Sequence, residues 1–359
     1  LKSLVQFSSK QHLIKIFLLS ALLFQSCSQK AEMKDPLIDF MDKENLSSIR
    51  LNSSDSLFRA GSLLVFDSML IAKDDELEYL FKIIDIKQDL IIKQFGKIGE
   101  GPCELEPSSI ISKSGVDGNM IGIFEMKTRE FQEFSLQTIL KFDSDSPCIQ
   151  FKGDFGFESR VITKLKGDHF IGTPNGENLY TLFLGNKVVQ SIGEFPFHNQ
   201  FKGVDPRNLD LAYQYKLIKH PKKALALGTS IFSFNMDILE LKNDNQLTIK
   251  KNLHFWPPEF ESSTEPDKFY ASIIKENKFG NVSTDVSESF IYVLYSDQAW
   301  EYQFPLKSNR VLVYDWEGKP IKILELDQEV SMIAAHEKDE FLIGYIDDGK
   351  ANLYQFQMN

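Results

Sequence analysis

The sequence is poor in the residues that announce a chemistry. It holds 3 cysteines and 6 histidines in 359 residues. Neither type forms a CxxC, an HExxH or another close pair, which excludes a redox dithiol or a zinc site built from one local motif. GxSxG is absent, and the one S-x-x-K, Ser272 to Lys275, comes without the partner motifs of that chemistry. Asp143-Ser144-Asp145-Ser146 opens like a calcium loop, but Cys148 and Asp154 stand where an EF-hand needs Gly and Glu. Positive charge is scarce: 40 Lys and Arg against 51 Asp and Glu give a net charge of -11. With no long basic run, the chain is a poor nucleic-acid binder. No apolar run is long enough to stay in a bilayer. Convincing amphipathic helices are missing too; only 208–218 and 328–336 read as short helical turns.

What is present begins with an address. Lys2, Lys10 and Lys15 lead into the apolar run Ile16 to Phe24, which has the length and flanks of an export signal. Phe24-Gln25-Ser26-Cys27-Ser28 resembles the lipobox of bacterial lipoproteins. That resemblance implies cleavage before Cys27 and acylation of its thiol, so that lipid and not protein surface holds the chain to a membrane. The expected organisation is a signal over 1–26, a lipidated tether over 27–34 and a folded body over 35–359. Loss of the three signal lysines takes the net charge from -11 to -14.

From residue 60 onward, apolar runs of four to seven residues alternate with Gly, Asn and Asp breaks. β-branched and aromatic residues in such runs favour strands, and the polar breaks favour hairpins. Asp347-Asp348-Gly349-Lys350 reads as one such turn. Similar units begin near 63, 120, 170, 224, 290 and 341. A period near 50 with three or four strands per unit is the pattern of a propeller. The fold class expected is all-β, a six-bladed β-propeller. Five or seven blades are the nearest variants, and a β-sandwich with a second domain is the other architecture. A blade has two apolar faces and is stable only between neighbours. The 30 Phe are expected in the gaps between blades. The segment 35–60 is expected to close the ring by adding a strand to the sheet completed by 341–357.

Phe95-Gly96-Lys97-Ile98-Gly99-Glu100-Gly101-Pro102-Cys103-Glu104-Leu105 resembles the FGxxGxGPGEF element of NHL-type propellers, with Cys103 and Leu105 replacing the usual Gly and Phe. Ser191-Ile192-Gly193-Glu194-Phe195-Pro196 is a fainter copy. With the lipobox, the chain over about 35–359 resembles the TolB-like six-bladed propeller lipoproteins of Bacteroidetes. That family brings no catalytic residues to transfer.

Candidate sites are few. The connection 252–267 combines prolines, aromatics and acids, and His254, Trp256 and Glu259 within it are candidates for gripping a sugar or peptide. Alternatively, Phe255 and Trp256 cover a gap between blades. Cys103 and Cys148 lie about one repeat apart and are a candidate disulfide in an exported chain; two free thiols are the alternative. Asp168-His169 reads as an acid–base pair or as a turn Asp beside a surface His. No catalytic, cofactor or metal residues are assigned, although a divalent cation held by residues from distant blades remains open. Two function classes follow. One is a lipid-anchored envelope protein, expected at the outer membrane, that binds or scaffolds a protein, peptide or glycan through a propeller face. The other is a propeller hydrolase or lyase acting on glycans or lactones. Mass spectrometry of the mature N-terminus is expected to find acylated Cys27 as the first residue; an unmodified Cys27 rules out the lipoprotein reading.

Overall fold

Successive residues of a strand point to opposite faces of the sheet, and here both faces are buried. In the strand Met69–Asp74, Leu70 and Ala72 pack towards the last blade while Ile71 packs towards the second. In Phe290–Ala299, Ile291, Val293 and Tyr295 face one gap, and Tyr292 and Leu294 the other. That is why these strands read as unbroken apolar runs. The computed structural model describes residues 34–75, 78–101, 104–115, 120–141, 155–156, 159–174, 176–243, 245–263, 265, 268–299 and 306–358. Cys27, Cys103, Cys148 and the 143–146 run lie outside them. Lys34–Asn359 forms one compact unit.

Six sheets make the ring. Blade 1 consists of Ala60–Phe66, Met69–Asp74, Tyr79–Asp85 and Leu90–Lys97. Blade 2 has three described strands, Ile110–Ser114, Met120–Glu125 and Glu130–Ser135. Blade 3 runs Ser159–Lys166, His169–Pro174, Tyr180–Leu184 and Lys187–Ile192. Blade 4 runs Lys216–Lys219, Leu225–Thr229, Phe234–Lys242 and Gln246–Trp256. Blade 5 runs Lys278–Val286, Phe290–Ala299, Ser308–Asp315 and Pro320–Val330, and blade 6 Met332–Ala335, Phe341–Asp347 and Ala351–Gln357. Within blades the pairing is antiparallel from the innermost strand outwards. Among the described residues, six hydrophobic clusters fill the six gaps between neighbouring blades. Part of the phenylalanine surplus sits where expected: Phe124, Phe131, Phe155, Phe170 and Phe183 fill the gap between blades 2 and 3, whereas Phe58 is exposed.

The N-terminal segment closes the ring twice. Ser48–Arg50 pairs antiparallel with Ala351–Gln357 as the outer strand of blade 6. Asp42–Leu46 adds a fifth strand to blade 5, parallel to Pro320–Val330. The chain then turns through Asn52–Ser56 into the inner strand of blade 1. Buried groups hold that crossing. Asp74 accepts the backbone N–H of Phe58 at 3.0 Å and of Arg59 at 2.7 Å. Lys82 pairs with Asp74 at 2.9 Å and donates to the Ser56 carbonyl at 2.7 Å. Both side chains of the pair are sealed from solvent, at 1% and 0% exposed. The Asp89 carboxylate accepts from Asn52 and Ser53, and the Tyr345 hydroxyl accepts from Ala60 N at 3.0 Å across the seam.

Three local expectations are corrected. The region 208–218 is helical only over Pro206–Tyr213, where Asp205 caps the N-terminus and Gln214 ends the helix in the left-handed region; Lys216–Lys219 is a strand. The region 328–336 holds no helix, only the end of Pro320–Val330 and the strand Met332–Ala335. The repeat starts near 120, 170, 224, 290 and 341 mark the second strand of their blades, not the first. The turn at 347–350 is a hairpin, with Asp347 paired to Ala351.

The described residues of the stretch from Phe95 to Leu105 are held by packing and hydrogen bonds. Phe95 is buried against Phe81, with ring centroids 4.9 Å apart. Gly96 has φ +75, and a Cβ there would lie 2.9 Å from the Phe81 ring. Glu104 folds back to accept Gly101 N at 2.9 Å and pairs with Lys97 at 3.1 Å.

A buried histidine staples blades 4 and 5. His220 is 1% exposed. Its Nδ1 accepts from Lys222 N and Lys223 N at 2.9 and 3.0 Å, so Nε2 carries the proton to the Glu288 carbonyl at 3.1 Å. Burial, reinforced by the Lys223 and Lys219 charges, lowers its pKa to about 4. The folded state therefore binds fewer protons than the unfolded chain between the ordinary histidine pKa of 6.5 and about 4. Stability is expected to fall as pH drops through that window, and His220→Asn to flatten this limb in urea titrations at stepped pH. An unaltered slope in the variant contradicts the assignment. Lys82→Met strands Asp74 in the core and is expected to cost about 3–5 kcal/mol in denaturant unfolding; an unchanged midpoint removes the pair from the closure argument.

Candidate axial binding site

Where the six inner strands meet, they enclose an axial cavity of about 290 Å³. Every blade contributes to its wall: Gly61 to Leu64, Ser109 to Lys113, Val161, Lys216 to Lys219, Val282 to Asp285, and Met332 with Ile333. These strands differ from those further out. Ile110–Ser114 reads IISKS and Lys216–Lys219 reads KLIK. Polar residues are tolerated here because one edge of each inner strand faces water and not another strand.

The charged residues in the wall are Lys73, Lys113, Lys216, Lys219 and Asp285. Lys73 stands opposite Ser62 in the sheet. It donates to the carbonyls of Pro107 at 2.6 Å and Ser109 at 2.9 Å. Lys219 donates to the His220 and Pro221 carbonyls at 3.0 and 3.2 Å. Lys113 reaches the Ala335 carbonyl at 3.5 Å and lies over the Phe66 ring. Burial pushes the Asp285 carboxyl up, against the opposing pull of Lys113, while Ala335 N donates to it at 2.7 Å. Lys216 is open to solvent inside the cavity, yet protein surrounds it and pushes its pKa down. Lys73 is pushed down in the same way.

The residues singled out from the sequence lie elsewhere. His254 and Trp256 are not in a loop: they end the outer strand of blade 4, Gln246–Trp256. Trp256 is 6% exposed, packs with Phe234 and Tyr295, and donates from Nε1 to the Lys278 carbonyl at 3.0 Å. His254 Nε2 meets Asp237 at 2.7 Å, and the same buried carboxylate accepts from Tyr180 across the blade 3–4 gap and from Asn252. Burial pushes the Tyr180 phenol well up, so it stays a donor. Glu259 is exposed, and its backbone N–H donates to Asn277 Oδ1 at 2.8 Å. It precedes the small ribbon Phe260–Ser262/Ala271–Ile273, which places Ser272 on a strand. His169 directs its ring nitrogens to the Lys166 carbonyl and the Asn245 side chain at 3.3 and 3.4 Å. Among the described residues, no group of three His, Cys, Asp or Glu is placed to hold a metal ion, and no helix is long and apolar enough to cross a membrane.

Sequence reading missed the cavity lysines. Their signal was present but faint: a lysine inside an apolar run at the start of a repeat, as in Ile111-Ser112-Lys113 and Lys216-Leu217-Ile218-Lys219.

No curated protein matches the chain by sequence. Among solved structures, a Bacteroides fragilis protein assigned as exported superposes with a TM-score of 0.54 at 10% identity, covering 89% of this chain and 99% of its own. A member of the DUF4221 family from Bacteroides vulgatus gives a TM-score of 0.46 at 10% identity, covering 88% and 96%. The TolB-like 6-blade propeller-like family matches residues 39–338. Six radial sheets, inner strands around one axis and a match spanning most of the ring lead to one conclusion: this chain belongs to the TolB-like six-bladed propeller family.

Proposed function

We propose that the protein is an exported binding propeller of the bacterial envelope. It is anchored through acylated Cys27 and engages a protein, peptide or glycan partner through one face of its ring. The exported assignment of the Bacteroides fragilis relative and the signal-like N-terminus both favour that location. The observation that carries the reading is the make-up of the axis. Among the described residues, a cavity walled by all six blades holds one carboxylate, Asp285, and no histidine, whereas glycan or lactone hydrolysis calls for a close pair of acid and base groups. Of the groups elsewhere, His220 and Asp237 hold blades together, and His254 is engaged with Asp237 inside blade 4.

The partner-facing edge in this reading includes the end of blade 4, with Glu259 exposed, His254 half-buried beside Phe197, and Trp256 bracing them from within. Rigid strands supporting a few exposed groups suit recognition better than turnover. Photo-crosslinking in native envelopes from position 259, with position 90 on the outer edge of blade 1 as the comparison, is expected to enrich one neighbour at 259. Equal recovery from both positions argues against this edge. Turnover of a glycan or lactone panel by the purified protein overturns the binding reading in favour of the enzyme.

A further inference from the structure

We propose that one end of the ring rests on a phospholipid surface, with exposed apolar side chains at the interface and lysines beside them. This rests on the reading of Cys27 as the acylated anchor: the acyl group attaches the chain, and this surface orients it. In a ring of antiparallel blades all the first strands run the same way along the axis. The turns joining first to second and third to fourth strands therefore gather at one end. The connections between blades gather at the other. Third and fourth strands are the outer ones, so their turns form the rim of the first end.

The first argument is where the exposed hydrophobic side chains lie. Leu90 opens the fourth strand of blade 1 directly after its turn, paired with Asp85. Leu140 stands in the short helix Leu136–Lys141, which follows the third strand of blade 2. In blade 3, Leu184 pairs with Lys187 across the hairpin turn, and Val188 and Val189 follow it, all exposed. Beside blade 5, Asp42 pairs with Lys322 just past the turn 316–319, which places the segment before Asp42 at the same end. There Leu37 and Phe40 pack into the gap between blades 4 and 5, with the Phe40 and Tyr314 ring centroids 5.1 Å apart. Ile38 and Met41 project instead, at 76% and 89% exposed. Among the described residues, Phe58 and Tyr270 are the exceptions at the other end, and Ile49 and Ile92 lie along outer strands. Single exposed hydrophobics need no account, but a set gathered on one rim marks a contact surface.

The second argument is charge. At or just past the end of the third strand, blades 1 to 5 each carry an exposed lysine: Lys87, Lys141, Lys187, Lys242 and Lys319. A lysine stem lies along apolar surface while its ammonium reaches outward, here to a headgroup phosphate. The opposite end is acidic. The connection 98–109 holds three acids and no basic residue, and 257–277 holds five acids against two lysines. That end is repelled by a phosphate layer and is the one that carries Glu259. Asp39 and Asp42 flank Ile38 and Met41, so the lipid contact draws on apolar burial and local phosphate pairing, not on net positive charge. The third argument is breadth and chain entry. A bilayer is flat and wide enough to meet blades 1, 2, 3 and 5 together, which a peptide is not. The folded unit also begins at this end, and Cys27 precedes Lys34 by seven residues, a reach of about 25 Å when extended.

The test is photolabelling of the full chain, purified from envelopes and reconstituted into phosphatidylethanolamine and phosphatidylglycerol vesicles. A diazirine side chain is placed in turn at positions 140, 184, 58 and 270, and phospholipid adducts are read by mass spectrometry. Positions 140 and 184 belong to blades remote from the chain's entry, so a tether alone does not bring them to lipid. Adducts are expected at 140 and 184, and roughly ten-fold fewer at 58 and 270, which stand away from the interface. Leu184→Asp combined with Val188→Asp, both at exposed positions, is expected to cut the yield at 140 several-fold, with an unchanged thermal midpoint showing that the ring is intact. Equal yields at all four positions, an excess at 270, or an unaltered yield at 140 in the double variant overturns the proposal. Adducts between two copies of the chain in place of phospholipid overturn it in favour of a face-to-face dimer. The N-terminal mass of the same sample reports acylation independently. If Cys27 is unmodified, the anchor reading fails alone, and the adduct pattern of the chain mixed with vesicles still decides the surface.

Discussion

The structure depends on one constraint: no blade can bury its faces alone. Leu70, Ala72 and Ile71 lie side by side in one strand and need partners in two different gaps. A row of such sheets always leaves two unsatisfied faces, and only a closed ring removes them. The seam between blades 6 and 1 therefore carries the stability of all the others. Backbone pairing of Ser48–Arg50 with Ala351–Gln357 ties the beginning of the unit to its end. The Asp74–Lys82 pair then fixes the crossing from the outside of blade 6 to the inside of blade 1. A buried ion pair adds little net stability over an apolar isostere. Its value here is positional, because Asp74 also accepts two backbone N–H groups that would otherwise be stranded in a tight turn.

The same device recurs around the ring. Tyr180 reaches Asp237 across the gap between blades 3 and 4. Lys164 of blade 3 pairs with Glu133 of blade 2 at 2.6 Å. His220 of blade 4 donates to Glu288 of blade 5, and Glu288 N donates to Glu337 of blade 6 at 2.9 Å. Apolar contacts between flat sheets allow sliding. Directional contacts such as these set the height of each blade against the next. Several titratable side chains of the ring thus serve to register one blade against the next.

This division explains how much of the molecule was legible in its sequence. Strands buried on both faces, such as Met120–Glu125 and Phe341–Asp347, read as plain apolar runs at a period near 50, and from them the ring, the blade number and the closing strand followed. Inner strands were misread or merged because their composition is mixed. The strand Lys216–Lys219 overlaps the stretch 208–218 that reads as a short helical turn, since Lys-Leu-Ile-Lys shows neither clean alternation nor a turn signal. Met332–Ala335 was lost in a stretch of helix-compatible Ala and Met. His254 and Trp256 drew attention because aromatics beside prolines look exposed, and no local pattern distinguishes a blade's last strand from a loop.

The fold detail that was missed and the site that was missed are therefore one thing. A propeller's inner strands are irregular in sequence because their free edges meet at a wet axis, and that axis is where six backbones bring side chains from residues 61 to 333 together. Lys113 and Lys216 come from different blades, and no linear pattern joins them. Proximity to the axis also explains why lysine is the residue found there. Its long apolar stem crosses the packed layer between blades, while its ammonium reaches a carbonyl or the lumen. An arginine would demand a planar set of acceptors that a narrow axis does not offer. A ring built to satisfy apolar faces between its blades thus gathers four lysines and one aspartate at the axis, where that packing stops.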